Sequence, residues 1–153
     1  MSTHQTNYPP LAPAIAVVGA ARAIEFYKAA FGAVERYRIT DPISGKVGHA
    51  ELLINGGLLM LADEFPPMNK SPQTLGGTSV RLSLMVDNVD AVTAQAAAAG
   101  ASVTRPPADQ FYGHRSASIL DPFGHEWSLQ KEIESVSAEE CQRRWNESVR
   151  KVA

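Results

Sequence analysis

His49 and Glu51 stand two residues apart in the segment His49-Ala50-Glu51-Leu52-Leu53-Ile54. On an extended strand, side chains two apart share a face. Ala50, Leu52 and Ile54 therefore form an apolar side suited to a helix layer, and His49 and Glu51 project together from the other side. An imidazole and a carboxylate so placed can share a proton, orient a substrate carbonyl or bind a metal in a non-standard way. The same pattern also describes a half-exposed polar strand face with no chemistry, and from the residues alone both readings stand.

A second concentration of reactive side chains is Gln110-Phe111-Tyr112-Gly113-His114-Arg115, which follows the loop Arg105-Pro106-Pro107-Ala108-Asp109. Loops rich in aromatic, amide and cationic groups often supply ligand contacts, so Gln110, Phe111, Tyr112 and Arg115 are candidates for binding. Arg115 can grip a carboxylate or a phosphate-like group through two parallel hydrogen bonds. Its alternative is a structural ion pair with Asp121 or Glu51. Glu126 shares strand parity with Ser128 and is a further candidate, whereas Trp127 has the opposite parity and reads as core. His125 reads as structural, and His4 and His114 as solvated.

These groups need a scaffold, and the chain repeats itself. At a shift of 68 residues without a gap, Val18 falls on Val86, Gly32 on Gly100, Asp41 on Asp109, Gly45 on Gly113, Leu52 on Leu120, Gly56 on Gly124 and Leu61 on Leu129. A fixed period of this kind identifies architecture before any element is assigned. Ala20 to Phe31 reads as a helix with Ile24, Tyr27 and Phe31 on one face, closed by Gly32. Val89 to Ala99 repeats it with Val89, Val92, Ala96 and Ala99, closed by Gly100. Asp87 or Asn88 can cap the second helix, while the first begins after Gly19 with a weaker cap. Asn55-Gly56-Gly57 and Asp121-Pro122-Phe123-Gly124 fall between apolar alternations, as hairpin turns do. The predicted fold class is α+β: two tandem βαβββ modules, each a strand, a helix and three antiparallel strands.

In this reading residues 1–153 form a single domain. Module one covers about 10–66, a proline- and glycine-rich linker about 66–77, module two about 78–133, and a C-terminal helical tail about 137–151. The tail opens on the capping box Ser137-Ala138-Glu139-Glu140, with Trp145 and Val149 as its inward face. With 44% hydrophobic and 20% charged residues, 153 residues bury one core. The formal net charge of -2, without a cluster of lysine and arginine, argues against nucleic acid. No apolar run reaches membrane-spanning length and the N-terminus lacks a leader pattern, so the expectation is a cytoplasmic protein with no membrane partner. Cys141 is the only cysteine, which rules out an intramolecular disulfide.

The tandem modules, the segment Ala21-Arg22-Ala23-Ile24-Glu25-Phe26-Tyr27-Lys28-Ala29-Ala30-Phe31-Gly32 and the segment Asp121-Pro122-Phe123-Gly124-His125-Glu126-Trp127-Ser128-Leu129 resemble the vicinal-oxygen-chelate superfamily, the glyoxalase and bleomycin-resistance fold. The resemblance covers roughly residues 10 to 133. It is greatest to the PhnB-like branch, through His49-Ala50-Glu51-Leu52, Leu58 to Glu64, and Gln110 to Arg115. It implies half-barrel sheets whose concave faces enclose a small-molecule pocket, commonly within or next to a homodimer interface. Metal-dependent members of the superfamily take ligands from the first and last strands of each module. The corresponding positions here are about Pro13, Met60, Arg81 and Ser128, none a good ligand, and their neighbours add none. The resemblance thus implies a fold whose usual metal site is gone, with no cofactor expected.

Two functions follow as expectations. The first is a binding protein that holds a small molecule in a pocket lined by His49, Glu51, Tyr112, Arg115 and Glu126. The second is a lyase or isomerase in which Glu51 is the general base, His49 polarises or reprotonates, and Arg115 anchors an anionic group. A weaker third keeps a divalent metal on His49 and Glu51.

Overall fold

A computed structural model describes residues 7–152. The elements run β1 (Ala14–Val17), α1 (Ala20–Phe31), β2 (Val34–Thr40), β3 (Val47–Ile54), β4 (Gly57–Asp63), α2 (Pro72–Leu75), β5 (Arg81–Met85), α3 (Val89–Ala99), β6 (Ser102–Asp109), β7 (His114–Leu120), β8 (Glu126–Glu132) and α4 (Ala138–Val152). Two four-stranded sheets result, ordered β1-β4-β3-β2 and β5-β8-β7-β6. The first strand of each module lies parallel to the last, and the other pairs are antiparallel. This is the α+β fold of two βαβββ modules and a C-terminal helix. Among the described residues no helix is long and apolar enough to cross a membrane.

Local chemistry accounts for the elements. The weak start of α1 is repaired from 43 or more residues away: Asp63 Oδ1 accepts from the amides of Gly19 and Ala20, and its Oδ2 from the amide of Val47. A carboxylate at a helix N-terminus satisfies free amides and suits the helix dipole. Asn88 caps α3 through the Ala91 amide. Asn55 and Gly56, both at positive φ, turn β3 into β4 with only two residues between them, as a primed hairpin turn requires. The expected linker is not wholly irregular, since Ser71 caps the short helix α2 within it.

The core joins the modules. Phe26, Tyr27 and Phe31 of α1 meet Phe123 and Trp127 of the second module edge-on or tilted, with centroids 4.8–6.4 Å apart. Asp121 fixes this contact. Its Oδ2 accepts from Tyr27 Oη at 2.6 Å and Trp127 Nε1 at 2.9 Å, and its Oδ1 accepts from the amides of Phe123 and His125. Burial and Asp121 push the Tyr27 phenol well above its ordinary value, so it stays a donor.

The repeat departs from its gapless form. Buried Ala20, Ile24 and Tyr27 correspond to buried Val89, Thr93 and Ala96, 69 residues on, because α3 ends one residue tighter: Ala101 N donates to Ala96 O, whereas Ala33 N donates to Tyr27 O. Buried Ala50 and Leu52 correspond to Ala117 and Ile119, 67 on, because the β7–β8 hairpin is one residue longer than β3–β4. Leu120, the sequence partner of Leu52, is exposed. Two further expectations change. Arg105 to Asp109 is not a loop but part of β6, whose prolines are tolerated because β6 is an edge strand with register shifts. Half of the α4 capping box forms, Ser137 Oγ accepting from the Glu140 amide, while the Glu140 carboxylate pairs with Arg143 and Arg144 and Trp145 and Val149 stay about half exposed.

Candidate functional site

Cross-strand pairing places Ala14, Met60, Glu51 and Tyr37 in one row across the first sheet, on the face turned from the helices. Direct partners in a ladder share a face. His49 lies beside this row, opposite Ile39. The N-terminal segment crosses over it, and Glu51 is 1% exposed beneath Tyr8.

The Glu51 carboxylate gathers donors on one oxygen. Oε1 accepts from Tyr8 Oη at 2.8 Å and Tyr37 Oη at 3.2 Å, and His49 Nε2 lies 3.2 Å away. Oε2 is buried without a hydrogen bond, with Arg36 Nη1 at 3.5 Å. The Arg36 guanidinium also stands over the Tyr8 ring, 5.3 Å from its centroid, and the Tyr37 and His49 rings are 5.7 Å apart. Burial pushes the Glu51 carboxyl up. The hydrogen bonds from Tyr8, His49 and Tyr37, with the nearby Arg36 charge, outweigh burial and hold it below its ordinary 4.5. The same bond pushes the Tyr8 phenol up to about 12. The result is an ionised carboxylate and a neutral phenol, locked together at neutral pH.

Two mainly apolar cavities lie elsewhere in the fold, neither lined by Glu51, His49, Tyr8, Arg36 or Tyr37. One of about 250 Å³ lies between the modules, walled by Pro9 and Leu11 of the N-terminal segment, Ile54 and Leu58 of the first module, and Leu82 and Trp127 of the second. A larger one of about 530 Å³ lies between β1 and the segment from α2 to β5.

The remaining candidate residues sit elsewhere. Gln110, Phe111 and Tyr112 form the β6–β7 turn, where α4 packs: Arg144 Nη1 donates to Phe111 O, and the Phe111 and Trp145 rings are 5.9 Å apart. Arg115 is held by Asp90 through two parallel bonds of 2.7 and 2.9 Å, and by Asp109 at 2.9 Å, rather than by Asp121 or Glu51. Glu126 lies on the second sheet, 3.6 Å from Arg81. His125 Nε2 lies 2.9 Å from Ala16 O, a structural contact, and His114 is half-buried against Gln130. His4 lies outside the described residues. Tyr8, Tyr37 and Arg36, which complete the Glu51 cluster, were not among the sequence candidates. Tyr37 was open to detection through its strand position, but a register shift between Glu35 and Tyr37 breaks the alternation there.

Residues 11–129 match the Glyoxalase/Bleomycin resistance protein/Dioxygenase superfamily. The chain belongs to this superfamily. An uncharacterized protein of Mycobacterium bovis is 44% identical over 138 residues, covering 88% of this chain and 90% of its own length. Among solved structures, TioX from Micromonospora sp. ML1 is similar at 25% identity, covering 84% of this chain and all of its own, with a TM-score of 0.63. A gene product of Arabidopsis thaliana is similar at 26% identity and a TM-score of 0.65, over 80% of this chain and 98% of its own.

A divalent ion of the kind the superfamily resemblance implies does not fit the donors at its usual strands. Register sets Ala14 beside Met60 and Ser83 beside Ser128, and Pro13 offers its carbonyl to the Met60 amide. A methyl, a thioether and two hydroxyls make a poor set for a hard cation. Arg81, two residues before Ser83, brings a positive charge to that face. Among the described residues no three His, Cys, Asp or Glu side chains converge on one point.

Proposed function

We propose that this superfamily member binds a small organic molecule, with its apolar part in the cavity between the modules and its polar part at the Glu51 face. The observation that carries the reading is Glu51 itself. A carboxylate oxygen that is buried, ionised and without a hydrogen bond is costly, and a ligand N–H or O–H donor would satisfy it. The N-terminal segment serves both parts, since Tyr8 covers Glu51 and Pro9 and Leu11 wall the cavity. Binding is favoured over acid-base catalysis because a carboxylate held below its ordinary value is a weaker base, and because Arg115 is already engaged by Asp90 and Asp109. Organic side chains alone make the contacts in this reading, without a metal. Resemblance to the PhnB-like branch through His49 to Leu52 is consistent with it. Homodimer formation belongs to the same reading, with Val34 and Ile39 of β2 exposed.

The test is a thermal-shift screen of neutral and cationic aromatic compounds against the intact chain. Hits are then measured by calorimetry on wild type and Glu51→Gln. Ligands that stabilise the wild type and bind the variant at least about tenfold more weakly support the reading. A screen without a stabilising compound, or hits indifferent to the substitution, would overturn it.

A further inference from the structure

We propose that the second module carries an oxyanion site on the face of its sheet turned from the helices, built on Arg105 with the hydroxyls of Ser118 and Ser128. This goes beyond the Glu51 reading, since it uses a different sheet and different residues.

The register assembles the site. Arg105 pairs with Ser118, Ser118 with Ser128, and Ser128 with Ser83, so the four side chains form one row across the sheet. Arg105 differs from every other arginine on a strand. Arg36 lies at Glu51, Arg38 at Glu35, Arg81 at Glu126, and Arg115 at Asp90 and Asp109. Arg105, with the hydroxyls of Ser118 and Ser128, has no hydrogen bond or ion pair among the described residues. A cavity of about 200 Å³ opens at the Arg105–Ser118 end of the row, lined by Arg81, Thr104, Arg105, Ser118, Ile119 and Glu126, with Ser128 next along the row outside its lining.

The charge balance suits an anion. Two guanidinium groups face the cavity against one carboxylate. The Arg81–Glu126 contact is 3.6 Å long with both partners about half exposed, so it is weak and easily rearranged. A guanidinium fork beside the Ser118 hydroxyl, with Ser128 the next hydroxyl along the row, fits either a planar carboxylate or a tetrahedral phosphonate or phosphate. The corresponding row in the first module carries Tyr37 and Glu51 where this one carries Arg105 and Ser118. The duplicated scaffold thus presents a carboxylate on one sheet and an unpaired cation on the other, and an anionic group is excluded from the first and drawn to the second.

The experiment is a titration of the isotopically labelled full chain by nuclear magnetic resonance, reading the Arg105 Nε–Hε signal and the backbone amides of Ser118 and Ser128. The probes are phenylphosphonate and benzoate, with benzamide as the neutral counterpart. The expected result is a saturable shift with at least one anion, none with benzamide, and affinity at least about tenfold weaker in Arg105→Gln but unchanged in Arg143→Gln on α4. Preference for phenylphosphonate assigns the tetrahedral class, and preference for benzoate the planar class; either supports the site. Ser118→Ala, a small change on a half-exposed strand position, tests the hydroxyl separately and is expected to weaken binding by a smaller factor. The proposal is overturned if neither anion gives a saturable shift, if Arg105→Gln binds as the wild type does, or if benzamide shifts the same signals.

Discussion

Replacing Glu51 by glutamine changes one oxygen to an amide and removes one negative charge, with almost no change in volume. The carboxylate is 1% exposed, accepts from Tyr8 and Tyr37, and has His49 and Arg36 beside it. Hydrogen bonds to an ionised acceptor are about twice as strong as those to a neutral one, and a typical bond contributes about 1 kcal/mol net. Loss of charge assistance at two or three bonds, with Arg36 left facing an amide, costs about 2–3 kcal/mol of folding stability at neutral pH. Its pH dependence is diagnostic. Because the folded protein holds the Glu51 carboxyl below its ordinary 4.5, its contribution is full above that value and is lost as pH falls through the lower folded value. Urea unfolding of wild type and variant, from pH 7 to about pH 3, should show a gap that is largest at neutral pH and closes in acid. Other acidic groups titrate in both proteins and cancel in the difference, provided that they do not couple to Glu51. A gap that is absent at pH 7, or that persists unchanged in acid, would refute the reasoning.

Tyr27→Phe keeps the ring stacking but deprives Asp121 of a buried donor, and should lower stability by about 1–3 kcal/mol in urea unfolding at neutral pH. Asp63→Ala strips three backbone amides of their acceptor and is expected to cost about 2 kcal/mol or more by the same measurement, with faster amide exchange at Gly19 and Ala20. At Gly113, φ is +90° and a Cβ would lie 2.3 Å from Glu134 O, so Gly113→Ala should displace the segment leading to α4 and raise its susceptibility to limited proteolysis. Elemental mass spectrometry after exposure to nickel, zinc, manganese or iron(II) and desalting should find no stoichiometric metal; retention lost on His49→Ala would return the His49–Glu51 metal reading to favour.

The duplicated fold was legible because its strongest marks are local. Gly32 and Gly100 end helices, Asn55-Gly56 makes a two-residue turn, and alternation separates Trp127 from Glu126 and Ala50 from Glu51. What escaped was the set of one-residue changes between modules. A β6–β7 connection one residue shorter than β2–β3 and a β7–β8 hairpin one residue longer than β3–β4 compensate each other, so a gapless shift of 68 aligns β6 and β8 while misplacing β7 by one position; the tighter end of α3 separately sets β5 and α3 69 residues on from β1 and α1. On a strand that slip reverses the face, which is why Leu120 looked like a partner of Leu52. The Glu51 cluster was half legible. Parity gave His49 and Glu51, but Tyr8 reaches Glu51 across 43 residues from an irregular segment with no period to read. The prolines of β6 concealed a strand, and with it the face that carries Arg105.

The same register that corrects the repeat also bears on how the two sheets came to differ. Once β7 and β5 are each moved by one residue, in opposite directions, Glu51 corresponds to Ser118, Met60 to Ser128, Ala14 to Ser83 and Tyr37 to Arg105. The carboxylate therefore belongs to the third strand of its module and not to the outer pair from which the superfamily's metal ligands are drawn. A cation approaching Glu51 would have to displace Tyr8 and compete with Arg36, which already neutralises the site from 3.5 Å. The balance of forces therefore favours a neutral hydrogen-bond donor at Glu51 over a divalent ion, whose dehydration needs more than one carboxylate to offset. On the second sheet the corresponding position is a serine, no buried anion opposes Arg105, and a negatively charged group meets the lower barrier. A ligand that combines a donor at one end with an oxyanion at the other would satisfy both faces if they were brought together, within one assembly, by a second copy of the chain.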